Sequence, residues 1–182
     1  MKRAFTLIEV IITVSLSVIL MLAITQLYVV YGRVVTSQNA YINVVLGAGK
    51  IMDSFRLAGL QANSVVASHT FFGVGYTSGA STVIFKIPSI DSSGSIIMGA
   101  YDYVGIHASG TDAYRFVDAA SGSSRVTEQK RLTNALSSMI FTYDNAELSL
   151  STNVIANATT SSAIGGETMQ MHLNEHVYLR NL

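Results

Sequence analysis

Two groups of residues in this 182-residue chain are of types and spacings that could do chemistry. The first is Glu9, a carboxylate that follows Met1-Lys2-Arg3-Ala4-Phe5-Thr6-Leu7-Ile8 and opens a long apolar run. A carboxylate near or inside a membrane costs a few kcal/mol and marks a functional position, with a partner to be named. The alternative is an acid in the first turn of a helix, favoured by the macrodipole and sitting among headgroups. The second group is His172-Leu173-Asn174-Glu175-His176, which matches the H-x-x-E-H zinc-protease pattern. That pattern needs a helix to bring both histidines to one face. Here Met169, Met171, Leu173, Val177 and Leu179 alternate, which predicts a strand. Histidines four apart on a strand stand about 13 Å from each other, too far for one zinc with bonds of about 2 Å.

Other candidates are weaker. His69 and His107 lie in separate turn-rich regions with no readable Ser-His-Asp arrangement, and Asn157-Ala158-Thr159 is a glycosylation sequon of a kind that arises often by chance. Gly47-Ala48-Gly49-Lys50 is no phosphate loop: Val44 stands where the first glycine belongs and Ile51 follows the lysine. Its glycines read as a flexible or closely packed point of a helix. With no cysteine in the chain, disulfides, thiolate metal sites and cysteine nucleophiles are excluded. No catalytic residue, metal site or cofactor is expected.

The element that positions Glu9 is legible from charge alone. From Val10 to Gly32, 23 residues, there is no Asp, Glu, Lys, Arg or His. As a helix they span about 34 Å at about 1.5 Å per residue, more than a hydrocarbon core of about 30 Å. The run is apolar on all sides, as a lipid-facing helix must be. Thr13, Ser15, Ser17 and Thr25 are tolerable because a helical hydroxyl can bond to a carbonyl one turn earlier. Tyr28 and Tyr31 sit at the far end, where amphipathic rings favour the interface. Lys2 and Arg3 before the span outweigh Arg33 after it, which places the N-terminus in the cytoplasm. The run is too long for a secretory signal and no A-x-A-like site follows it; a generic signal anchor is the competing reading.

Hydrophobic residues make up 49% of the chain and charged residues only 12%, about half the share usual in soluble domains. From Val34 onward there are 8 Lys+Arg against 10 Asp+Glu, a net charge of −2. No nucleic-acid partner is expected, because a phosphate-tracking groove needs a basic excess.

Past Arg33 the helix should continue with one apolar stripe, Tyr41, Val45, Ala48, Met52, Phe55 and Gly59, at steps of three and four. This stripe reads as core packing. From about Ala67 the period changes to strands divided by turn clusters. The strands expected are 82–87, ending at Pro88; two pieces within 96–106, around Gly99 and Gly105; 114–117, followed by a flexible loop at 119–124; 138–143 with 148–156 as a hairpin; and 168–179. Asp144-Asn145-Ala146-Glu147 reads as a polar hairpin turn. One long helix followed by short strands gives an α+β fold.

Ala4-Phe5-Thr6-Leu7-Ile8-Glu9-Val10, after the basic leader and before an uncharged span, closely resembles the processing site of type IV pilins and pseudopilins. The resemblance implies a type IV pilin-like fold, a long N-terminal helix packed on an antiparallel β-sheet head. It divides the chain into a leader (1–4), a transmembrane and filament-core helix (5–33), its amphipathic continuation (34–66) and a β-rich head (67–182). It further implies that a prepilin peptidase cuts between Ala4 and Phe5 and methylates the new amino group. Glu9 would then pair with the Phe5 amino group of a neighbouring subunit. Such a pair favours one register, because removing either charge leaves the other uncompensated.

There are two departures from the family pattern. Ala4 stands where the family usually has glycine, and the span lacks the proline of major pilins, since Pro88 is the chain's only one. The missing proline, the missing paired cysteines and the ending Val177-Tyr178-Leu179-Arg180-Asn181 point to a W-type minor pilin or a J-type pseudopilin. Some pseudopilins bind calcium, for which the 144–147 loop is the candidate.

The implied function is a non-enzymatic subunit of a type IV pilus or type II secretion-like filament. Its partners would be other pilin subunits, the prepilin peptidase, an inner-membrane assembly platform and membrane lipid. It would reside in the inner membrane with its head outside, then in a periplasmic or cell-surface filament. The alternatives are a membrane-anchored binding module, such as a DNA-uptake pilus component, and a membrane-tethered metalloprotease.

Overall fold

The computed structural model describes residues 6–164 and 166–179. Helix α1 runs unbroken from Leu7 to Gln61. It stops short of residue 66, and Ser64–Val65 already forms strand β1. The chain divides into two compact units, 1–40 and 41–182, with the boundary inside α1.

In the first unit the helix buries nothing up to Tyr31: its leucine, isoleucine and valine side chains are exposed all round. It is long and apolar enough to cross a membrane. The hydroxyls within it behave as the sequence implies. Ser15, Ser17 and Thr25 donate to the carbonyls of Ile11, Thr13 and Met21 at 2.7 to 2.8 Å, so no hydroxyl in this group is left facing lipid unpaired.

The second unit joins the rest of α1 to ten strands, every pair antiparallel. A five-stranded sheet has the order β1 (Ser64–Val65), β4 (Thr82–Ile90), β5 (Ile96–Ser109), β6 (Asp112–Asp118), β7 (Glu128–Thr133). A three-stranded sheet has the order β10 (Glu167–Tyr178), β9 (Asn153–Ile164), β8 (Leu136–Tyr143). A separate hairpin pairs β2 (Ser68–Phe71) with β3 (Val74–Thr77). The architecture is therefore α+β, one long helix on antiparallel sheets, as the sequence implies.

One face of each larger sheet packs on α1. Phe55 bridges the two, its ring 5.7 Å from that of Phe85 on β4 and 5.8 Å from that of Phe141 on β8. Two glycines of α1 leave room for sheet side chains: a Cβ on Gly47 would overlap Thr133, and one on Gly59 would overlap Val177. Gly47 is thus a closely packed point. Thr160 on β9 adds a hydrogen bond of 2.7 Å to the carbonyl of Val44.

The structure corrects four expectations. The buried stripe of α1 is Val44, Ala48, Ile51, Phe55 and Ala58, with Met52 and Gly59 beside it; Tyr41 is exposed and Val45 half-buried. The region 96–106 is not two pieces but part of one strand, β5, where Gly99 at φ +76 sits in the irregular stretch between pairs Pro88–Tyr101 and Ile90–Ile96. The second member of the 138–156 hairpin starts only at Asn153, after a short 3-10 turn at Leu148–Leu150, and runs to Ile164. The β2–β3 hairpin appears where the sequence shows no Asn-Gly turn signal.

That hairpin covers the face of the five-stranded sheet opposite α1. Phe71, Ile84 and Phe116 form a second buried cluster there. Gly105 makes room for it, since a Cβ at that position would lie 2.8 Å from the Phe71 ring. His69 stacks on Tyr103 at 3.9 Å and shares a 2.8 Å hydrogen bond with Asp118, which fixes the hairpin to the sheet.

Candidate functional site

The residues marked by the sequence gather at the start of α1. Lys2, Arg3, Ala4 and Phe5, expected to orient and process the chain, lie outside the described residues. Thr6 and Glu9 are described, and they form a reciprocal cap. The Thr6 backbone N–H and hydroxyl donate to Glu9 Oε2 at 2.9 and 3.0 Å, while the Glu9 N–H approaches Thr6 Oγ1 at 3.4 Å. Thr6-Leu7-Ile8-Glu9 is a capping box, T-x-x-E, whose two side chains satisfy backbone donors that a helix start leaves free. The signal was present in the sequence but hidden behind the more unusual fact of an acid in an apolar run. All the described bonds to the Glu9 side chain fall on Oε2. Its Oε1 accepts none among the described residues, so capping leaves one carboxylate oxygen for another donor.

The head holds a polar cluster that sequence reading missed. Asp102 on β5 is fully buried. It accepts from the Ser89 hydroxyl at 2.7 Å, the Ala120 N–H at 2.8 Å, the Ser123 hydroxyl at 2.8 Å and Arg125 at 2.6 Å. Burial alone would raise its pKa, but these four donors outweigh it and hold the carboxyl below its ordinary value. Arg125 also donates to the carbonyl of Pro88 and to Gln61 Oε1, each at 2.8 Å. One carboxylate therefore ties the 119–124 loop to the sheet, and one guanidinium ties both to the last residue of α1. That loop is pinned, contrary to the flexible stretch its Ala-Ser-Gly composition suggests. Nothing in sequence spacing links Asp102 to an arginine 23 positions away; the register of β5 and β6 does.

The remaining candidates fall into ordinary structural places. His172 and His176 lie on the exposed face of β10, and His172 shares a 3.0 Å hydrogen bond with Thr159 across the sheet. The strand keeps the two histidines apart, as their spacing implies. Asp144 closes its turn by accepting from the Thr152 N–H at 3.0 Å and from the Thr152 hydroxyl. The Thr152 hydroxyl bond, followed by backbone N–H bonds, holds its carboxyl below the ordinary range. Asn157 of the sequon accepts from Asn174 on the neighbouring strand. His107 shares a 2.8 Å bond with Thr82, and burial pushes its pKa down. Val177 and Leu179 of the C-terminal string are buried against the core, while Arg180 and Asn181 lie outside the described residues.

No curated protein matches the chain. Residues 1–25 match the family described as the prokaryotic N-terminal methylation motif, so the capping box and the apolar helix belong to a prepilin-type N-terminal segment, like that of type IV pilins.

Proposed function

We propose that the chain is a structural subunit, a minor pilin or J-type pseudopilin, of a type IV pilus or type II secretion-like filament. The observation that carries this reading is the joint occurrence of the methylation motif over residues 1–25 with a helix that buries none of its apolar faces up to Tyr31. A helix apolar all round has to be covered. Lipid covers it before assembly, and the helices of other subunits cover it afterwards.

Processing between Ala4 and Phe5 would release a new amino group beside the Glu9 layer. Among the described residues Glu9 Oε1 accepts no bond while Oε2 caps its own helix, which suits Glu9 to accept from the Phe5 ammonium of a neighbour. Lys2 and Arg3 would hold the start of the chain in the cytoplasm until the cut. The unbroken helix, without a proline in its span, favours a subunit that starts or caps a filament over one that forms its bulk. The prepilin peptidase, an inner-membrane platform and sister subunits are the partners this reading requires.

Mass spectrometry of the N-terminus, on protein made in a host with a prepilin peptidase, tests the proposal. A chain starting at methylated Phe5 is expected. An intact Met1 would reduce the segment to a generic anchor.

A further inference from the structure

We propose that the tip of the β2–β3 hairpin, Phe72-Gly73-Val74, seats in the groove between α1 and the five-stranded sheet of another copy of this chain. The inference rests on the filament reading, for which it supplies a head-to-tail contact between subunits.

The tip is built at a cost. Phe72 and Gly73 form a two-residue turn with φ of +52 and +81, as a type I′ turn requires. Glycine and asparagine accept this region readily, whereas a bulky side chain is an outlier there. The residue held in it is an aromatic one, and it is not buried: Phe72 is 56% and Val74 54% exposed. Strain combined with an exposed apolar surface argues that the side chain is kept for a contact outside its own chain. The tip carries no acid or base, and the carbonyls of Phe72 and Gly73 accept no hydrogen bond among the described residues.

The groove offers the complement. It is an open cleft of about 300 Å³ whose apolar walls include Leu57 and Ala58 of α1, Val104 of β5, Val117 of β6 and Val126 from the segment before β7. Leu57 and Val126 are both exposed at its mouth. Its charged neighbours are already matched, Arg125 with Asp102 and Arg115 with Glu128, so an uncharged occupant meets no unpaired charge.

Topology makes the contact intermolecular. The hairpin packs over Ile84 and Phe116, while the groove opens beside Ile87, Val104 and Val117 on the opposite face of the same sheet. A chain cannot fill its own groove with its own tip. Knob and hole on opposite faces generate a heterologous contact, which propagates rather than closing into a two-fold dimer. One aromatic knob is a small interface, and it becomes sufficient when a second attachment, the N-terminal helix, raises the effective concentration.

The cysteine-free sequence makes the test clean. Full-length Val74→Cys and Val126→Cys chains, both keeping Phe72, are produced together in membranes and treated with a short bismaleimide. A cross-linked dimer is expected from the mixture and not from either variant alone, and a ladder of multimers is expected from the chain carrying both changes. Absence of the mixed dimer overturns the proposal, as does an equal dimer from Val74→Cys alone, which would mean that tips meet tips. A second variant, Phe72→Asn, installs a favoured Asn-Gly turn. It should raise the Tm of the head by a few degrees while lowering self-association at least several-fold. A gain in Tm without any loss of association also overturns the contact. The N-terminus of the same protein, read by mass spectrometry, separates the two readings. Methylated Phe5 without the cross-link overturns this contact alone; intact Met1 with the cross-link retains the contact and overturns the filament processing.

Discussion

In the first half of α1, from Leu7 to Tyr31, apolar side chains occupy every face and none is buried. In the second, from Val44 to Gly59, a narrow stripe is fully buried while Asp53, Arg56 and Leu57 beside it are exposed. The backbone hydrogen bonding is the same throughout, so the difference lies entirely in what the side chains must meet. The first half awaits a surrounding medium that is the same in all directions. The second has a fixed neighbour on one side, and two of its glycines leave room for that neighbour's side chains. A single helix can thus carry two unrelated packing problems, solved by composition in one half and by position in the other.

The sharpest way to test this contrast is to truncate one large side chain in each half. Phe55→Ala removes the ring that joins both sheets and should destabilise the head by about 3–5 kcal/mol, measured by chemical denaturation of the full chain in detergent. Leu16→Ala truncates a large apolar side chain in the other half and should leave that transition unmoved. A similar loss from both would end the distinction.

The Asp102 cluster gives the next largest effect, because it anchors the end of the second half. Asp102→Ala strands Arg125 beside Pro88 and Gln61. The cost should be about 3 kcal/mol, the low end for a broken buried pair, because Arg125 remains partly exposed. The pH dependence has a definite sign. The folded carboxyl titrates below its ordinary value of 3.8, so its stabilisation is complete above that pH and is lost as pH falls through the folded pKa. The variant should therefore show a shallower acid limb in a plot of stability against pH.

The smallest effect on the head should come from Glu9→Ala. It removes the side-chain half of the capping box, worth about 1 kcal/mol to the helix start, and leaves the head transition unchanged. Membrane insertion and cleavage should also survive, while incorporation into filaments is blocked. Normal incorporation would sink the pairing role of Glu9.

How much of this was legible beforehand follows from the same contrast. The first half of α1 could be read directly, because an uncharged run needs no partner to define it. The stripe of the second half is right at Ala48, Met52, Phe55 and Gly59, which are buried, and wrong only at its start, where Val44 is buried, Tyr41 is exposed and Val45 is half-buried. A 3.6-residue period allows Tyr41-Val45 or Val44-Ala48 as its start, and only the sheet decides between them. Strand β9 runs past the expected end at residue 156 because Thr159-Thr160-Ser161-Ser162 lies within the sheet, where these residues pair across strands and Thr160 reaches the helix. The β2–β3 hairpin was invisible because Phe72 occupies a position that turn chemistry assigns to asparagine or glycine. The Asp102–Arg125 pair depends on register, which no local pattern encodes. Of the N-terminal site, the unusual acid was plain and its cap was overlooked.

The buried stripe has a mechanical consequence. Val44, Ala48, Ile51, Phe55 and Ala58 lie in sequence along the helix axis, all buried, and the last three share one core cluster with residues of both larger sheets. A pull along the axis of α1 would load these contacts side by side, so that they would have to slip together, in shear. Peeling, which would break them one at a time, has to start at an end of the stripe. At the Gln61 end it meets the Arg125 bond first. The stripe is thus seated in a geometry that resists a pull along the helix axis better than it resists peeling.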